Sequence, residues 1–250
     1  MANNFKNFDR IVAYYELDGV LVNYTPIRVG TRSEFLGVSD NPVLRLKIGE
    51  KTVPVIPGSS LKGILRAEAE RYVKSSLELK KKYGDVWDAC NPLILASDEK
   101  FRKEHEKKPC VVCGLFGNTG LASHIRIFDC MPDGMFVPQT RTRVAIDRIL
   151  GGQSGGKLFT DEFIVPGTRW KFRVVLINVK LDDQDDPVGH LVRYLIRLLK
   201  AKGIQVGANK SIGYGLVRLE ELEIKKLSVR DGELSEQKVE LQEILGGLSK

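Results

Sequence analysis

A cysteine and histidine cluster in the middle of the chain has the spacing of a metal site. Cys110 and Cys113 are separated by two residues, as in a zinc knuckle. His105 lies five positions before the first of them, and Cys90 supplies a fourth ligand. Zinc held by three thiolates and one imidazole has no open position for water, so such an ion would be structural. The cysteines could instead be free and buried or form a redox pair, and His124 could replace His105 as ligand.

The segment 57–63 reads Pro-Gly-Ser-Ser-Leu-Lys-Gly and predicts the start of a helix with Ser59 or Ser60 as its cap. The first backbone N–H groups of a helix favour an anion, and the glycine would let a phosphate approach the main chain closely. Lys62 and Arg66 lie four residues apart, so they share a face that would extend this site along a polynucleotide backbone. The alternative is a capped surface helix whose basic residues are solvated.

A second glycine-rich stretch, at 207–215, reads Gly-Ala-Asn-Lys-Ser-Ile-Gly-Tyr-Gly. Its glycines would let main-chain amides form a concave anion site to which Lys210 adds charge, and Tyr214 could stack on a base or sugar. The stretch lacks the Gly-Lys-Ser/Thr ending of a Walker motif. The alternative is a glycine-rich turn that binds no ligand.

The segment 139–168 is polar, basic and rich in glycine, and strand-forming stretches at 142–149 and 158–165 flank the glycines. This pattern predicts a β-hairpin with a glycine-rich tip that could wedge between bases. An insert of this length in a compact domain is more often functional than idle, although a solvated loop is the alternative. Its basic residues are Arg141, Arg143, Arg148 and Lys157.

The elements that would position these motifs alternate between strand and helix patterns. Apolar residues at helical spacing predict helices from Ser59 to about Lys82 and from Pro187 to Lys202. Alternating apolar residues predict strands at 10–23, 124–129, 170–179 and 216–224. The order strand, helix, strand, strand, helix, strand is that of a ferredoxin-like α+β fold. In that fold both helices cover one face of an antiparallel sheet, and the other face stays free for a ligand.

We expect one elaborated domain at residues 1–227, with the metal-binding insertion at about 83–118 and the hairpin at about 139–168. Within the insertion, the charged segment 85–108 is predicted to be irregular, so that something other than a large core must order it. Cys130 follows a strand and is predicted to be a small core residue. Residues 228–250 are predicted to form an exposed tail or a peripheral helix.

The composition is that of a basic globular protein. The chain has 250 residues, of which 42% are hydrophobic, and its formal net charge of +7 favours a polyanionic partner. No stretch approaches the length of a membrane span, and the polar first ten residues lack the apolar segment of a signal peptide, so a cytoplasmic location is expected. Four cysteines are too few for a disulfide framework in a chain of this length.

Four stretches together resemble the RAMP proteins of CRISPR systems, and most of all the repeated backbone subunit of type III (Csm or Cmr type) effector complexes. The stretches are residues 56–63 (Ile-Pro-Gly-Ser-Ser-Leu-Lys-Gly), 110–117 (Cys-Val-Val-Cys-Gly-Leu-Phe-Gly), 122–129 and 207–215. The resemblance extends to about Ile224. It implies an RNA-recognition-like fold, copies stacked as a filament along guide RNA (crRNA), other effector subunits as partners, and a hairpin thumb that interrupts the guide–target duplex.

The resemblance also implies roles for individual residues. The helix start would grip guide phosphates, segment 141–165 would be the thumb, and the Cys/His cluster would match a zinc site of some family members. The RNA-binding set that we predict is Arg28, Arg32, Ser59, Ser60, Lys62, Arg66, His124, Arg126, Arg141, Arg143, Arg148, Asn209, Lys210, Ser211 and Tyr214.

Target-RNA cleavage is the activity that the resemblance implies. Cleaving members carry an aspartate in a Gly-Gly-Ser-Asp context after the first strand, whereas this chain reads Gly-Thr-Arg-Ser-Glu at 30–34. Glu34 is the nearest carboxylate, and Asp40 lies later in the same loop. Because RNA carries its own nucleophile, the 2′-hydroxyl, one carboxylate and a divalent cation such as Mg²⁺ could suffice. The alternatives are a scaffold subunit without cleavage and a processing endoribonuclease for repeat RNA.

Overall fold

The structure is a computed structural model that describes residues 8, 10–31, 39–149, 151–230 and 233–246. Ten β-strands form the framework of this described part of the chain. Apolar, β-branched residues alternate along the longer strands, as the sequence pattern predicts. In chain order the strands are β1 (Tyr14–Asn23), β2 (Arg45–Ile48), β3 (Lys51–Pro54), β4 (Ile125–Ile127), β5 (Pro138–Ile146), β6 (Gln153–Ile164), β7 (Arg169–Ile177), β8 (Ile204–Gln205), β9 (Leu216–Arg230) and β10 (Glu233–Val239).

The main sheet is antiparallel and has the strand order β10-β9-β1-β7-β4, with β8 paired to β9. The four predicted strands correspond to β1, β4, β7 and β9, and their spatial order β9-β1-β7-β4 is that of a ferredoxin-like sheet. The predicted fold is therefore confirmed. Two hairpins stand apart from this sheet: β2 pairs with β3, and β5 pairs with β6.

The described chain has seven α-helices, six of which lie between strands and the last of which follows β10. They are α1 (Gly58–Ser75), α2 (Leu77–Tyr83), α3 (Pro92–Ser97), α4 (Glu99–Lys107), α5 (Val111–Phe116), α6 (Pro187–Ala201) and α7 (Leu241–Leu245). The first predicted helix is broken: α1 ends at Ser75, and Ser76 separates it from α2. The segment 85–108 was expected to be irregular, and this was wrong, because Asn91 and Asp98 side chains cap α3 and α4.

Helices α1 and α6 cover one face of the main sheet, as predicted. Leu65 of α1 and Leu195 of α6 line an apolar cavity of about 30 Å³ together with Leu17, Phe172 and other inward side chains of the strands. The opposite face carries charges of both signs. Arg173 of β7 pairs there with Glu16 at 3.2 Å and with Asp18 at 3.7 Å on β1. This open face is thus a network of ion pairs rather than a uniformly basic surface.

The C-terminal region extends the fold. Strand β9 runs on to Arg230 and pairs with β10, which lies at one edge of the sheet. Ile244 and Leu245 of α7 are buried in the same hydrophobic core as β1. The sequence predicted an exposed tail or a peripheral helix at 228–250: residues 235–238 of β10 are exposed, whereas α7 is a short helix that packs on the core through Ile244 and Leu245. Within the described chain, none of the helices combines the length and the hydropathy needed to cross a membrane.

Candidate functional site

The predicted metal ligands come together in space. Cys90 precedes α3, His105 lies on α4, Cys110 is the first residue before α5, and Cys113 lies within α5. One ligand atom from each of the four lies within 4.8 Å of all the others, and the sulfurs of Cys90 and Cys113 are 3.4 Å apart. Among the described residues, this is the one group of three or more Cys, His, Asp or Glu side chains arranged for a metal ion.

The donor set fits a tetrahedral ion. Zinc–sulfur bonds of about 2.3 Å place neighbouring sulfurs about 3.8 Å apart in a tetrahedron, close to the separation found here. All three cysteines are buried, and the buried Nε2 of His105 has no partner in hydrogen-bonding geometry within the described part of the chain. A polar atom left in this state is costly unless something binds it. The cluster is thus able to hold a metal ion.

The members of the cluster shift one another's pKa values in opposite directions. Contacts with the sulfurs of Cys113 and Cys90 lower the pKa of Cys110, while contacts with Cys110 and Cys113 raise the pKa of Cys90. The same two sulfurs, Cys110 and then Cys113, raise the pKa of His105 to about 10. A thiolate at Cys110 is therefore stabilised by its neighbours, and a bound cation would take over that role and release their protons.

Lys62 and Arg66 share one face of α1, as predicted, but both reach protein atoms. Lys62 Nζ donates to Ser123 Oγ at 2.8 Å, and burial lowers its pKa, followed by the nearby charge of Arg66. Arg66 donates to the carbonyl of Gly117 at 3.0 Å and to Cys113 Sγ at 3.6 Å. These side chains therefore connect α1 to the segment that follows α5.

The start of α1 differs from the prediction. Pro57 is the N-cap, and neither Ser59 nor Ser60 makes a capping side-chain bond. The carboxylate of Asp129 accepts the N–H of Gly58 at 2.8 Å instead. Gly58 is glycine because a Cβ there would collide with the carbonyl oxygen of Ile127, so its small size serves strand packing. Ser59 is exposed and Ser60 half-buried, and both lie in the first turn of α1.

The glycine-rich loop also differs from the prediction. Its amides donate to carbonyls of the protein: Ala208 N–H to Arg28 and Gly215 N–H to Pro26, each at 2.8 Å. A Cβ at Gly207 would collide with the Arg28 carbonyl, and φ at this residue is +84°. The loop is thus packed against the segment after β1 and does not form an open amide nest. Lys210 and Ser211 are exposed on its outer side.

Tyr214 was predicted to stack on RNA, and this was wrong. It is 4% exposed, its hydroxyl has no hydrogen-bond partner within the described residues, and its ring makes an edge contact with Phe163. The guanidinium of Arg143 lies 5.1 Å from the ring centroid, so Tyr214 supports an arginine instead.

The predicted hairpin is present and is built from β5 and β6. We call residues 138–164 the thumb. Its outer part is apolar and exposed, and the exposed large side chains there are Val144, Ile146, Ile149 and Leu158. Arg148 is exposed next to them. An apolar, solvent-facing tip of this kind needs a partner surface to cover it.

The base of the thumb contains a buried carboxylate. Asp161 of β6 is 1% exposed, and its oxygens lie 3.1 Å from Arg143 Nε and 3.6 Å from an Arg28 Nη. Asn41 and Asn209 donate to the same carboxylate at 2.9 and 3.2 Å. Four segments that are distant in sequence therefore meet at Asp161: both strands of the thumb, the loop after β1, and the glycine-rich loop.

A second ion pair and a cation–π contact reinforce this base. Glu162 accepts from the Arg45 guanidinium with both oxygens and from Val43 N–H at 2.9 Å. Arg141 lies opposite Asp161 in the register of the hairpin, with its guanidinium 5.5 Å from the Phe163 ring centroid. Arginines 28, 141 and 143 thus converge where the thumb leaves the body.

The two catalytic candidates have different positions. Asp40 is exposed, and one of its oxygens accepts the backbone N–H of Thr160 at 2.6 Å. It therefore lies beside the thumb base with its second oxygen unused by that bond. Glu34 lies outside the described residues, and so does Arg32.

His124 is buried, which does not suit the RNA contact that was predicted, and the Cys/His cluster contains His105, so the alternative in which His124 replaces it does not hold. It is 3% exposed and its Nδ1 lies 2.8 Å from the carbonyl oxygen of Ile177. The neighbouring Arg126 is exposed at the edge strand β4, and its role stays a prediction. Cys130 is fully buried, as expected of a core residue.

Comparison with known proteins decides the family. A model of the RAMP superfamily matches residues 24–218, well over half of the chain. The chain belongs to the RAMP superfamily. This RAMP chain is 25% identical, over 270 aligned residues, to a Methanocaldococcus jannaschii protein named "CRISPR system Cms endoribonuclease Csm3", and the match covers 93% of this chain and 95% of that protein.

The RAMP chain is also similar in fold to a chain of a solved assembly, "Cryo-EM structure of the Type III-B Cmr-beta bound to cognate target RNA". The TM-score is 0.51, the identity is 18%, and the match covers 85% of this chain. The RAMP chain spans 61% of the length of that solved chain.

Sequence reasoning missed the carboxylates at the thumb base of this RAMP protein. Asp161 and Glu162 sit at the end of a strand pattern, next to apolar Phe163 and Ile164. Two acids that interrupt an alternating strand indicate a buried ion pair, because isolated charge is costly in such a position. The sequence therefore contained a signal for the buried acids. It did not identify the arginines that pair with Asp161, because Arg28 and Arg143 are far apart in the sequence.

Proposed function

We propose that this chain is a backbone subunit of a type III CRISPR ribonucleoprotein that binds guide RNA and contributes to endonucleolytic cleavage of complementary target RNA. The observation that carries the proposal is the match to a named Csm3 endoribonuclease over nearly the full length of both chains. Its partners would be crRNA, target RNA, other effector subunits and further copies of itself. Its place would be the cytoplasm, where thiols stay reduced.

The arginines at the thumb base support RNA binding. Arg28, Arg141 and Arg143 concentrate positive charge where the thumb meets the body, and Lys210 is exposed on the adjoining loop. Guanidinium groups bind phosphate through paired N–H donors without reading the base. The apolar tip beyond them suits contact with unstacked bases. Affinity from such a surface should be independent of sequence and sensitive to salt.

We further propose that the Cys/His cluster holds structural zinc. Cys90, His105, Cys110 and Cys113 supply a complete tetrahedral set, which leaves no position for an activated water. The ion would tie α4 to α5, and α4 has no fully buried residue of its own that could do so. We assign it no part in the reaction.

For cleavage, Asp40 and Glu34 remain the carboxylate candidates. In the reaction the RNA 2′-oxygen attacks the scissile phosphorus in line and gives up its proton to an acceptor. The bond from phosphorus to the 5′-oxygen of the next nucleotide breaks, that oxygen leaves with a proton, and the charge that develops must be neutralised. A divalent cation such as Mg²⁺ would supply part of that neutralisation. The described residues offer no cluster of carboxylates for it, so RNA phosphates would have to complete its ligands.

A scaffold without cleavage is the second candidate function. It is favoured by one observation, namely that a carboxylate oxygen of Asp40 is already bonded to Thr160 N–H. A processing endoribonuclease with a histidine base is less well supported. His105 belongs to the metal cluster, His124 is buried, and His190 lies between the hydroxyls of two tyrosines.

The test is binding of single-stranded RNA by the full-length chain at several salt concentrations. We expect nanomolar to micromolar affinity that is similar for unrelated sequences and that falls steeply with salt, by a log–log slope of about 0.7 per phosphate contact. RNA extracted from natively purified protein should be a long guide. Affinity that is absent or insensitive to salt would overturn the proposal.

A further inference from the structure

We propose that Asp161 is a positioning residue for RNA binding, which holds the guanidinium groups of Arg28 and Arg143 in place for RNA phosphates. This inference rests on the proposed RNA-binding function and adds to it a residue of the wrong charge for direct phosphate contact. A carboxylate repels phosphate, and this one is buried. Asp161 can therefore favour RNA binding only through the residues that it contacts.

Asp161 has the contacts that such a role requires. Its Oδ2 contacts Arg143 and accepts a hydrogen bond from Asn209. Its Oδ1 contacts Arg28 and accepts a hydrogen bond from Asn41. A buried carboxylate with two cations and two amide donors is held in one rotamer and in turn fixes what surrounds it. Arginine otherwise loses much side-chain entropy when it binds a phosphate, so fixing it beforehand favours binding.

The two arginines are not fully satisfied by the protein. Arg28 Nε and Arg143 Nη2 are buried and have no hydrogen-bond partner among the residues that the structure describes. The side chains of Arg28 and Arg143 retain 12% and 19% of their exposure, so part of each is accessible. Two guanidinium charges face a single carboxylate, and Arg141 adds a third nearby. RNA cannot reach those two buried atoms, but the excess of positive charge on guanidinium groups that stay partly accessible favours an anion as a further partner.

The sign of one substitution separates positioning from simple charge. Asp161→Asn removes one negative charge near the RNA, so electrostatics alone predicts tighter binding. Our inference predicts the opposite, because two arginines lose their fixed orientation. We expect the affinity for a poly-uridine 30-mer to fall about fivefold at moderate salt, and the log–log salt slope to fall by about 0.7 to 1.4, as for one or two lost phosphate contacts.

Glu162→Gln is the matched control. It removes the same charge from the adjacent residue and also breaks an ion pair at the thumb base, the one with Arg45, but it leaves Arg28 and Arg143 in place. We expect unchanged or slightly tighter binding. In an Arg143→Gln background, Asp161→Asn should reduce RNA affinity by a smaller factor than it does in the wild type. The reason is that one of the two arginines that Asp161 positions is already absent.

The outcomes are distinct. Wild-type protein that does not bind RNA would overturn the proposed function itself. Wild-type binding with equal losses in Asp161→Asn and Glu162→Gln would show that both merely anchor the thumb, and would overturn the positioning role. If Asp161→Asn does not fold by circular dichroism, Asn41→Ala serves instead. It removes one donor to the same carboxylate and strands no charge, and it must weaken RNA binding more than Glu162→Gln does for the inference to stand.

Discussion

Arg66 Nη2 lies 3.6 Å from Cys113 Sγ, so the helix that was expected to bind phosphate also contacts the Cys/His cluster. The same guanidinium holds the carbonyl of Gly117, just after α5, at 3.0 Å. The bond to Gly117 fixes the end of the helix that carries Cys113, and the guanidinium packs against the sulfur of that residue. Arg66 therefore holds the Cys/His cluster in place without being one of its four members.

Arg66→Gln should weaken metal binding. Outer-shell partners of metal ligands typically change metal affinity by about 10- to 100-fold when they are removed, and we expect a loss near the lower limit. Chelator competition with Zn²⁺ measures it. Arg71→Gln, on the same helix but paired with Glu68 at the surface, is the control and should leave the affinity unchanged. Equal zinc affinity in the wild type and Arg66→Gln would contradict this interpretation.

Removal of zinc should destabilise the protein as a whole. Purified chain should contain about one zinc ion, because the four ligands form a single complete set. We expect chelation, or the Cys113→Ser variant, to lower Tm by about 10 °C or more, since structural zinc contributes folding free energy directly. Thermal unfolding by circular dichroism and zinc analysis by mass spectrometry check this. Cys130→Ser leaves the four ligands intact and should not change the zinc content.

Two glycines at the start of α1 should respond to alanine with opposite signs. At Gly58 a Cβ would collide with the Ile127 carbonyl, whereas at Gly63 nothing lies within 4 Å. Gly58→Ala should therefore lower the free energy of unfolding by about 2 kcal/mol or more. Gly63→Ala should raise it by about 0.5–1 kcal/mol, since alanine favours a helix interior. Urea unfolding measures both, and a loss at Gly63 would contradict the open surroundings seen there.

His190 should make stability depend on pH. Burial, followed by nearby arginines, lowers its pKa to about 4, and both ring nitrogens meet tyrosine hydroxyls, Tyr72 at 3.1 Å and Tyr83 at 3.3 Å. The unfolded chain then binds more protons than the folded chain between pH 6.5, the ordinary value, and about 4. The contribution of His190 to the free energy of unfolding should be fully present above that window and should be lost as the pH falls through it.

The expected size is about 1–2 kcal/mol after allowance for partial exposure. Urea unfolding at pH 7 and pH 5 measures it, with His190→Gln as the comparison because glutamine does not titrate. The difference in stability between the two pH values should be smaller in the variant. An identical pH dependence in the wild type and His190→Gln would mean that other groups cause it.

The fold followed from local patterns more readily than the site did. Alternation at 170–179 and the helical spacing of Leu191, Leu195 and Leu199 are set by burial on one face, so sequence alone locates β7 and α6. The break at Ser76 was missed because the apolar spacing continues past it. The insertion was misjudged because the caps of its short helices, Asn91 and Asp98, were not read as start signals.

At the site, the Cys/His cluster could be predicted from the sequence, because its spacing is a property of residues that lie near one another in the chain. The roles of glycines could not. Gly58 and Gly207 looked like phosphate contacts, yet each is small because another part of the backbone passes close to it. Tyr214 failed for the same reason, since Phe163 and Arg143 cover it from the distant thumb. Contacts between distant segments decide these cases, and one sequence does not show them.

Cleavage should distinguish the two carboxylate candidates in an assembled complex. Asp40 shares its carboxylate with Thr160 N–H at the thumb base, so Asp40→Asn, which keeps an acceptor for that bond, tests charge with little change in packing. If Asp40 accepts the proton or binds the cation, we expect cleavage of a matched target RNA to fall by about 100-fold or more while RNA affinity stays within about twofold. Glu34→Gln is assayed in parallel, since this residue stands nearest to the aspartate position of cleaving relatives. Unchanged cleavage in both single variants and in the double variant would remove these carboxylates from the reaction and leave the scaffold function as the better account.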